Sequence, residues 1–324
     1  MLPTDLAPRA GAYARQGRTP GMEVNCEGCA GCCLDWRPLA PADLDHERRG
    51  PYRPLDDTYN LAPVTADEVR TFLDAGYAAA LTPRLFRTDD GPHATVGGVE
   101  LAAVGDRPAF LVGLRKVPKP VAPFGTEPAW LDTCEFLDPR TLQCRIHDTD
   151  AYPETCRTYP GSNLALGVES ECERVETVHG GERLLDGDPP DDATPAFSPG
   201  ALGTRVFAHP DPDRVADAVE RLAAGEPTPA DRAEFVAVAA ASAPGTAAVS
   251  DERYERAKAR ARGTTSWVDG AIAEWVERAD ERGSGGAGDG ADAGDTTRSD
   301  TTPDPALARD AEDERGAPET PGWD

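Results

Sequence analysis

Apolar residues first recur at helical spacing behind a capping-box pattern, in which Thr65 is followed three positions later by Glu68. The residues that would share one helical face are Val69, Phe72, Leu73, Tyr77 and Ala80. Because this spacing matches the helical period, the pattern predicts a helix over about 66–81.

Shorter apolar runs farther along are typical of strands. They lie at about 94–104 and 109–114, and a proline-rich stretch at 118–128 is predicted to be a loop.

A turn signal then separates two short strand-like runs at 133–137 and 143–147. The intervening sequence is Asp138-Pro139-Arg140-Thr141, and Asp and Pro favour turn geometry. We expect a hairpin here that brings Cys134 and Cys144 together.

The later part of the chain is rich in alanine and has helical patterns. Val215, Ala218, Val219 and Leu222 have helical spacing and precede Gly225. Further helices are predicted to start at Thr228-Pro229 and near Asp251, and to include Val268, Ile272 and Trp275. These signals predict a small helical bundle packed on the first part of the chain.

The most informative feature of the composition is its negative charge. The 324 residues carry 58 acids and 33 bases, a formal charge of -25, and only three of the bases are lysines: Lys116, Lys119 and Lys258. Such a surface is typical of proteins that stay soluble in concentrated salt, as in halophilic archaea, where screening suppresses self-repulsion. It argues against nucleic acid or an anionic membrane as a partner, because both would be repelled.

No stretch resembles a signal peptide or reaches the roughly 18 apolar residues of a membrane span. We therefore expect a cytoplasmic protein. That compartment is reducing, so its thiols are available as metal ligands.

The candidate chemistry lies in eight cysteines that form two groups. They are Cys26, Cys29, Cys32 and Cys33, then Cys134, Cys144, Cys156 and Cys172. In a chain without a secretory signal, metal explains this grouping better than disulfides do. All eight are predicted metal ligands.

The first group contains the order C-x2-C-x2-C, which opens a bacterial ferredoxin cluster motif. Its departure is Cys33, which follows Cys32 at once and is free to serve a second site. The second group has gaps of nine, eleven and fifteen residues, so its thiols need a fold to converge. Joining both groups at one site is feasible, because the entropy of loop closure rises slowly with length.

Three further residues are candidates near the thiols. Arg145 and Arg157 each follow a cysteine directly, and a guanidinium there would offset the charge of roughly -2 on a four-thiolate centre. His147, three residues after Cys144, is either an exchangeable ligand or a hydrogen-bonding neighbour.

The combined motifs resemble the YkgJ-like cysteine-cluster family, described as a zinc- or iron-chelating domain. The resemblance covers about 26–172 and rests on Cys26-x2-Cys29-x2-Cys32-Cys33, Cys134-Glu-Phe-Leu-Asp, Cys144-Arg-Ile-His147 and Pro153-x2-Cys156-Arg157-x-Tyr159-Pro160. Two positions depart from the family pattern, Tyr152 before the proline and the Glu171-Cys172-Glu173 context of the last cysteine. A relative, the flagellin lysine methylase, carries an iron-sulfur cluster, so the resemblance favours iron without transferring that reaction.

These signals predict an α+β protein. Its predicted parts are a flexible arm at 1–22, a loop-rich cysteine-cluster metal domain with a helix and short strands at 23–180, a linker at 181–204, a helical region at 205–282 and a disordered acidic tail at 283–324. Truncation after Arg282 is accordingly expected to leave metal content and the first domain intact.

Three functions are compatible with these observations. The leading one is an iron-sulfur protein, most simply [4Fe-4S], in electron transfer or as part of a modifying enzyme with an unidentified redox or protein partner. The alternatives are a zinc-stabilised structural or protein-interaction module without catalysis, and a redox sensor that forms disulfides at Cys32. Among so many carboxylates, Asp35, Glu135 and Asp138 near the cysteines do not identify a catalytic group, so whether the protein is an enzyme stays open.

Overall fold

The computed structural model describes residues 23–24, 28–44, 51–161, 163, 169–181, 185–186, 199–284 and 304–321. Over these residues the protein is a mixed α and β structure in which helices cover a curled antiparallel sheet. The predicted arm at 1–22 lies outside the described residues, and so does Cys26.

The strands form one large sheet and two small pairs. The central sheet has the order β2-β3-β6-β5-β4, and β10 also pairs with β6. The strands are β1 (Glu23–Val24), β2 (Tyr52–Pro54), β3 (Leu81–Thr88), β4 (His93–Val96), β5 (Val99–Val104), β6 (Arg107–Leu114), β7 (Lys116–Val121), β8 (Ala129–Cys134), β9 (Leu185–Asp186) and β10 (Phe207–Ala208). The two pairs are β1 with β9 and β7 with β8.

Five of the eight described helices begin close to predicted positions, whereas those at 154–158, 171–179 and 305–314 were not predicted. The eight described helices are α1 (Ala66–Asp74), α2 (Glu154–Thr158), α3 (Glu171–His179), α4 (Ala216–Ala223), α5 (Pro229–Ala241), α6 (Asp251–Arg262), α7 (Trp267–Ser284) and α8 (Pro305–Glu314). Thr65 and Thr228 cap α1 and α5 through complete capping boxes. Among the described helices, none has the length and apolar character needed to span a membrane.

Several local predictions fail where tertiary structure decides. The run at 94–104 lies in two strands, β4 and β5, and the runs at 133–137 and 143–147 are joined by a single bridge between Leu137 and Cys144. Helix α1 ends at Asp74 and not near residue 81, because Gly76 turns the chain with a φ of +80°. The proline-rich stretch is not a loop throughout, since β7 contains Pro118 and Pro120. Both prolines tolerate a strand because β7 pairs on only one side, and alternate residues of such a strand need no N–H donor.

The hydrophobic core joins the predicted metal domain and the predicted helical region. Helix α5 lies at its centre, with Phe235, Val236 and Val238 fully buried. Phe110 of the sheet packs edge-on against Phe235, with ring centroids 5.0 Å apart, and Phe72 of α1 belongs to the same core. The two regions therefore share one core.

The predicted disordered tail contains a packed helix. Helix α8 buries Ala308 and Ala311 against Val117 of β7 and Trp275 of α7. The indole nitrogen of Trp275 donates to the carbonyl oxygen of Ala308 at 3.0 Å. Ala308 and Ala311 are the two buried apolar residues of this ten-residue helix, which explains why its alanine- and acid-rich sequence gave no clear sign of a core-facing side.

Buried ion pairs also join α8 to the rest of the fold. Glu312 is fully buried between the ammonium of Lys119, at 2.9 Å, and the guanidinium of Arg145, at 3.1 Å. Arg145 also donates to Asp313 at 2.8 Å. The end of the described chain is fixed by Thr320, whose hydroxyl donates to Asp138 at 2.6 Å.

Candidate metal centre

Backbone pairing joins the two cysteine groups. The N–H of Cys134, at the end of β8, donates to the carbonyl oxygen of Cys33 at 2.8 Å. One step away the N–H of Asp35 donates to Asp132 at 2.7 Å, and Leu34 bridges Thr133. The segment after the first cysteine group therefore runs antiparallel to β8 and carries its thiols to Cys134.

The predicted turn at 138–141 brings the chain back towards Cys134. Leu137 and Cys144 form an antiparallel bridge, and the carboxylate of Asp138 accepts from the backbone N–H groups of Arg140 and Thr141 at 2.9 and 3.0 Å. Burial, followed by the neighbouring Cys134 thiol, raises the pKa of Cys144 to about 12. The expected proximity of Cys134 and Cys144 is confirmed.

Cys156 lies on the short helix α2, whose first residues contact α1 and the segment before it. The N–H of Glu154 donates to Glu68 at 2.6 Å, and the Thr155 hydroxyl donates to the carbonyl oxygen of Pro63 at 2.8 Å. Burial raises the pKa of the Cys156 thiol well above its usual range, and the thiols of Cys134 and Cys144 add to the shift.

Five thiols thus come together, a set we call the five-thiol group: Cys32, Cys33, Cys134, Cys144 and Cys156. The sulfurs of the vicinal pair lie 3.8 Å apart. Their mutual hydrogen bond lowers the pKa of Cys32 and, together with burial, raises that of Cys33 well above its usual range. The pair is therefore expected to share one proton more easily than to hold two negative charges.

The other predicted ligands are placed differently. Cys29 is buried beside Gly31, and in the described part of the chain no hydrogen bond or ion pair joins it to the five-thiol group. Cys172 lies on α3, and the Tyr159 side chain interacts electrostatically with both Cys32 and Cys172. For Cys26 the prediction concerns a residue outside the described ranges.

Two half-buried tyrosines lie within electrostatic range of the five-thiol group. Burial raises the pKa of Tyr152, and the thiols of Cys156 and Cys144 raise it further. The pKa of Tyr159 is also raised, first by burial and then by Cys32. The backbone N–H of Glu171, which precedes Cys172, donates to the Tyr159 hydroxyl at 2.5 Å. Tyr159 therefore links α3 to the neighbourhood of the thiols.

Glu171 ties α3 to the segment that follows the first cysteine group. Its carboxylate accepts from the indole N–H of Trp36 at 2.9 Å and from the hydroxyl of Tyr59 at 2.7 Å. Trp36 is fully buried, so this network fixes the position of the first cysteine group relative to Cys172.

The two predicted arginines contact other partners. Arg145 is committed to the carboxylates of α8, as described above, and Arg157 donates to the carbonyl oxygen of Tyr152 at 2.9 Å with its guanidinium over that ring. His147 lies 3.3 Å from the Asp148 carboxylate, and its ring packs on Tyr152 at 4.8 Å. Neither arginine forms a described hydrogen bond to a thiol.

The carboxylates that are near cysteines in sequence have structural partners. Glu135 is fully buried, accepting from Arg115 at 2.9 Å and from the Ser266 hydroxyl at 2.6 Å. Asp35 pairs with Arg37 at 2.5 Å. Each therefore anchors the scaffold of the site.

The described candidate ligands are soft sulfur donors, but their side chains do not have the geometry of a metal site. Among the described residues, no three Cys, His, Asp or Glu side chains are arranged as a metal site, and no disulfide joins the cysteines. Thiolates are the ligands that zinc and iron-sulfur clusters prefer. Two sulfurs bound to one tetrahedral zinc lie about 3.8 Å apart, so the Cys32–Cys33 pair already has a compatible spacing.

The sequence did not single out Lys116, the first residue of β7. Its backbone pairs directly with Cys134, which places both side chains on one face of the β7–β8 pair. A usable signal was present, because a lysine is rare in this chain and this one begins a strand whose partner strand ends in a cysteine.

Comparison with known proteins identifies a family and nothing beyond it. A family model described as a family of unknown function, DUF7531, matches residues 22–324. No curated protein and no solved structure matches the chain.

Proposed function

We propose that this chain, which belongs to the DUF7531 family, is a cytoplasmic metal-binding protein whose five-thiol group holds an iron-sulfur cluster. The observation that carries the proposal is the convergence of five reduced thiols from three separate parts of the chain. Cys26, Cys29 and Cys172 stay candidate ligands from the sequence.

The electrostatics of the thiols set a requirement that a metal would meet. Burial raises the pKa of Cys134, Cys144 and Cys156, and neighbouring thiols raise that of Cys144 and Cys156 further. These thiols therefore stay protonated unless positive charge lies among them, and a metal centre would supply that charge.

The order of the first cysteine group favours a cluster over a single ion. A [4Fe-4S] cluster and a tetrahedral zinc each take four thiolates, so the number of thiols does not separate them, whereas C-x2-C-x2-C opens a ferredoxin cluster motif. When bound, an iron-sulfur cluster supplies one-electron transfer. The chain's own contribution is to hold the thiols and to fix α3 through Glu171.

A zinc-stabilised module is the second candidate, and one distance favours it. The 3.8 Å between the sulfurs of Cys32 and Cys33 suits two ligands of one ion. In that case the metal would hold the segment from the first cysteine group against β8, and the function would be the binding of a partner.

The experiment that tests the proposal is elemental analysis of protein purified without oxygen in high salt. Iron, zinc and acid-labile sulfide per chain are measured for the wild type and for Cys144→Ser. Iron and sulfide in matching amounts, with a strong loss in the variant, support the cluster. Zinc without sulfide supports the second candidate. No metal in the wild type, before or after reconstitution, refutes both, and a disulfide at Cys32 found by mass spectrometry would then support the redox sensor.

A further inference from the structure

The three lysines of this arginine-rich chain are all buried at their charged ends, and two have evident partners. Lys119 lies 2.9 Å from Glu312 and donates to the carbonyl oxygens of Glu135 and Leu137, each at 2.8 Å. Lys258 forms an ion pair with Glu234 and donates to the Tyr254 hydroxyl at 2.8 Å. In both cases a carboxylate neutralises the ammonium.

Lys116 is the exception within the described structure. Its ammonium nitrogen is enclosed and has no hydrogen-bond acceptor among the described residues. Burial lowers its pKa, and the negative groups that oppose this effect are, in order, Cys33, Cys134 and Cys32, followed by Asp35. The thiols are therefore the nearest candidates for a counter-charge.

An enclosed ammonium without a partner is costly, because a buried charge needs an opposite charge or good hydrogen bonds. The cost is removed if the five-thiol group becomes anionic. Four thiolates around Zn²⁺, or around a cluster core of charge about +2, leave a net charge of about -2. A compact ammonium at the Cys134 side of this centre would neutralise part of that charge.

We propose that Lys116 is the counter-cation of the thiolate-metal centre. This inference rests on the proposed function and assigns to Lys116 the neutralisation of part of the negative charge of that centre. It assigns to Lys116 the role that the sequence alone suggested for Arg145, whose guanidinium is held by Glu312 and Asp313.

If Lys116 is the counter-cation, its removal should not destabilise the metal-free protein but should weaken metal binding. Removal of a lysine with a purely structural role would lower the stability of both forms. In Lys116→Met, which keeps the length of the side chain, the metal-free protein is expected to be at least as stable as the wild type. Its metal affinity is expected to fall about tenfold or more, the usual effect of removing a partner around a metal site. Lys116→Arg, which keeps the charge, should recover most of the affinity.

The measurements are urea unfolding of the metal-free proteins and competition for Zn²⁺ against a chromophoric chelator, in high salt. If the protein holds a cluster, its reduction potential should also become more negative in Lys116→Met, because reduction adds negative charge. Equal zinc affinity in the wild type and Lys116→Met, or a loss of stability without a loss of affinity, overturns the inference and leaves the metal site standing. Absence of metal from the wild type and both variants overturns the proposed function and this inference together.

Discussion

The N–H of Cys134 donates to the carbonyl oxygen of Cys33 at 2.8 Å, across 100 intervening residues. This bond and its neighbours hold the segment that follows the first cysteine group against β8. The backbone therefore fixes the position of Cys33 relative to Cys134, and the proposed metal centre would use this preorganisation.

Loss of Cys144 should matter more than loss of Cys29. Cys144→Ser removes a member of the five-thiol group and is expected to abolish most metal binding, whereas Cys29→Ser changes a thiol beside Gly31 and should retain more metal. Metal per chain after gel filtration, together with the melting temperature with and without chelator, measures both effects. Equal losses in the two variants would show that Cys29 is a full ligand.

Removal of the Glu312 charge should destabilise the fold. Glu312→Gln leaves Lys119 and Arg145 buried without their shared carboxylate, at an expected cost of about 3 kcal/mol. Glu319→Gln, a change in the same terminal segment outside this pair, serves as the matched control. Denaturant unfolding in high salt gives both values, and similar stability of the two variants would contradict the structural role of the pair.

Truncation before α8 should also destabilise the fold. The sequence alone led to the opposite expectation, that truncation after Arg282 leaves the first domain intact. A chain ending at Ser284 lacks the carboxylates of Glu312 and Asp313 and exposes the apolar surface around Trp275. We expect a loss of stability of several kcal/mol and a tendency to aggregate. Calorimetry and light scattering test this, and an unchanged melting temperature would show that α8 packs too weakly to matter.

Acid should weaken the protein through Glu234. Although burial favours its neutral form, hydrogen bonds from His209, Lys258 and Tyr254 outweigh this effect and lower the pKa of Glu234 to about 2. Since the folded-state pKa is depressed, the stabilisation is complete above the usual value of about 4.5 and disappears as the pH falls towards 2. From about 1.4 kcal/mol per pKa unit, it amounts to at most about 3 kcal/mol.

The check is urea unfolding of the wild type and Glu234→Gln between pH 5 and pH 2. The variant should lose most of the pH dependence, while Glu220→Gln, an exposed glutamate of α4, should keep it. Parallel stability curves for the wild type and Glu234→Gln would show that another carboxylate governs the acid response.

A methyl group at Gly31 should disturb the contact between the first cysteine group and α3. A Cβ there would lie 2.8 Å from Val175 Cγ2 and 3.5 Å from the Cys29 sulfur. Gly31→Ala is expected to cost about 1–3 kcal/mol as an overpacked core substitution. In the double variant with Val175→Ala, the total should be smaller than the sum of the two single effects, and strict additivity would contradict the contact.

Local signals predicted the starts of α1 and α5 well and the end of α1 poorly. Thr65 and Thr228 carry the capping information within four residues of themselves, so α1 and α5 begin where the pattern indicates. The end of α1 and the strand character of Pro118 depend on contacts with distant chain segments. Such contacts leave no periodic trace in the sequence.

The convergence of several cysteines was predictable from the sequence, and their surroundings were not. The spacing of the cysteines implied convergence, and the turn at Asp138 indicated which two would meet. The partner of Arg145 could not be foreseen, because Glu312 lies in a segment whose composition is typical of disorder. The position of Lys116 became informative only once the register of β7 and β8 placed it opposite Cys134.

The position of Glu312 late in the sequence means that its buried ion pairs form only after all the cysteines have been synthesised. All eight cysteines have been made once residue 172 is complete, whereas the carboxylate that neutralises Lys119 and Arg145 is 140 residues farther on. At about 5–20 residues per second, translation leaves an interval of roughly 7–28 s in which the thiols exist but the core beside them is open. If the proposed metal centre forms, a nascent chain would expose its cysteines to a metal before Glu312 has been made.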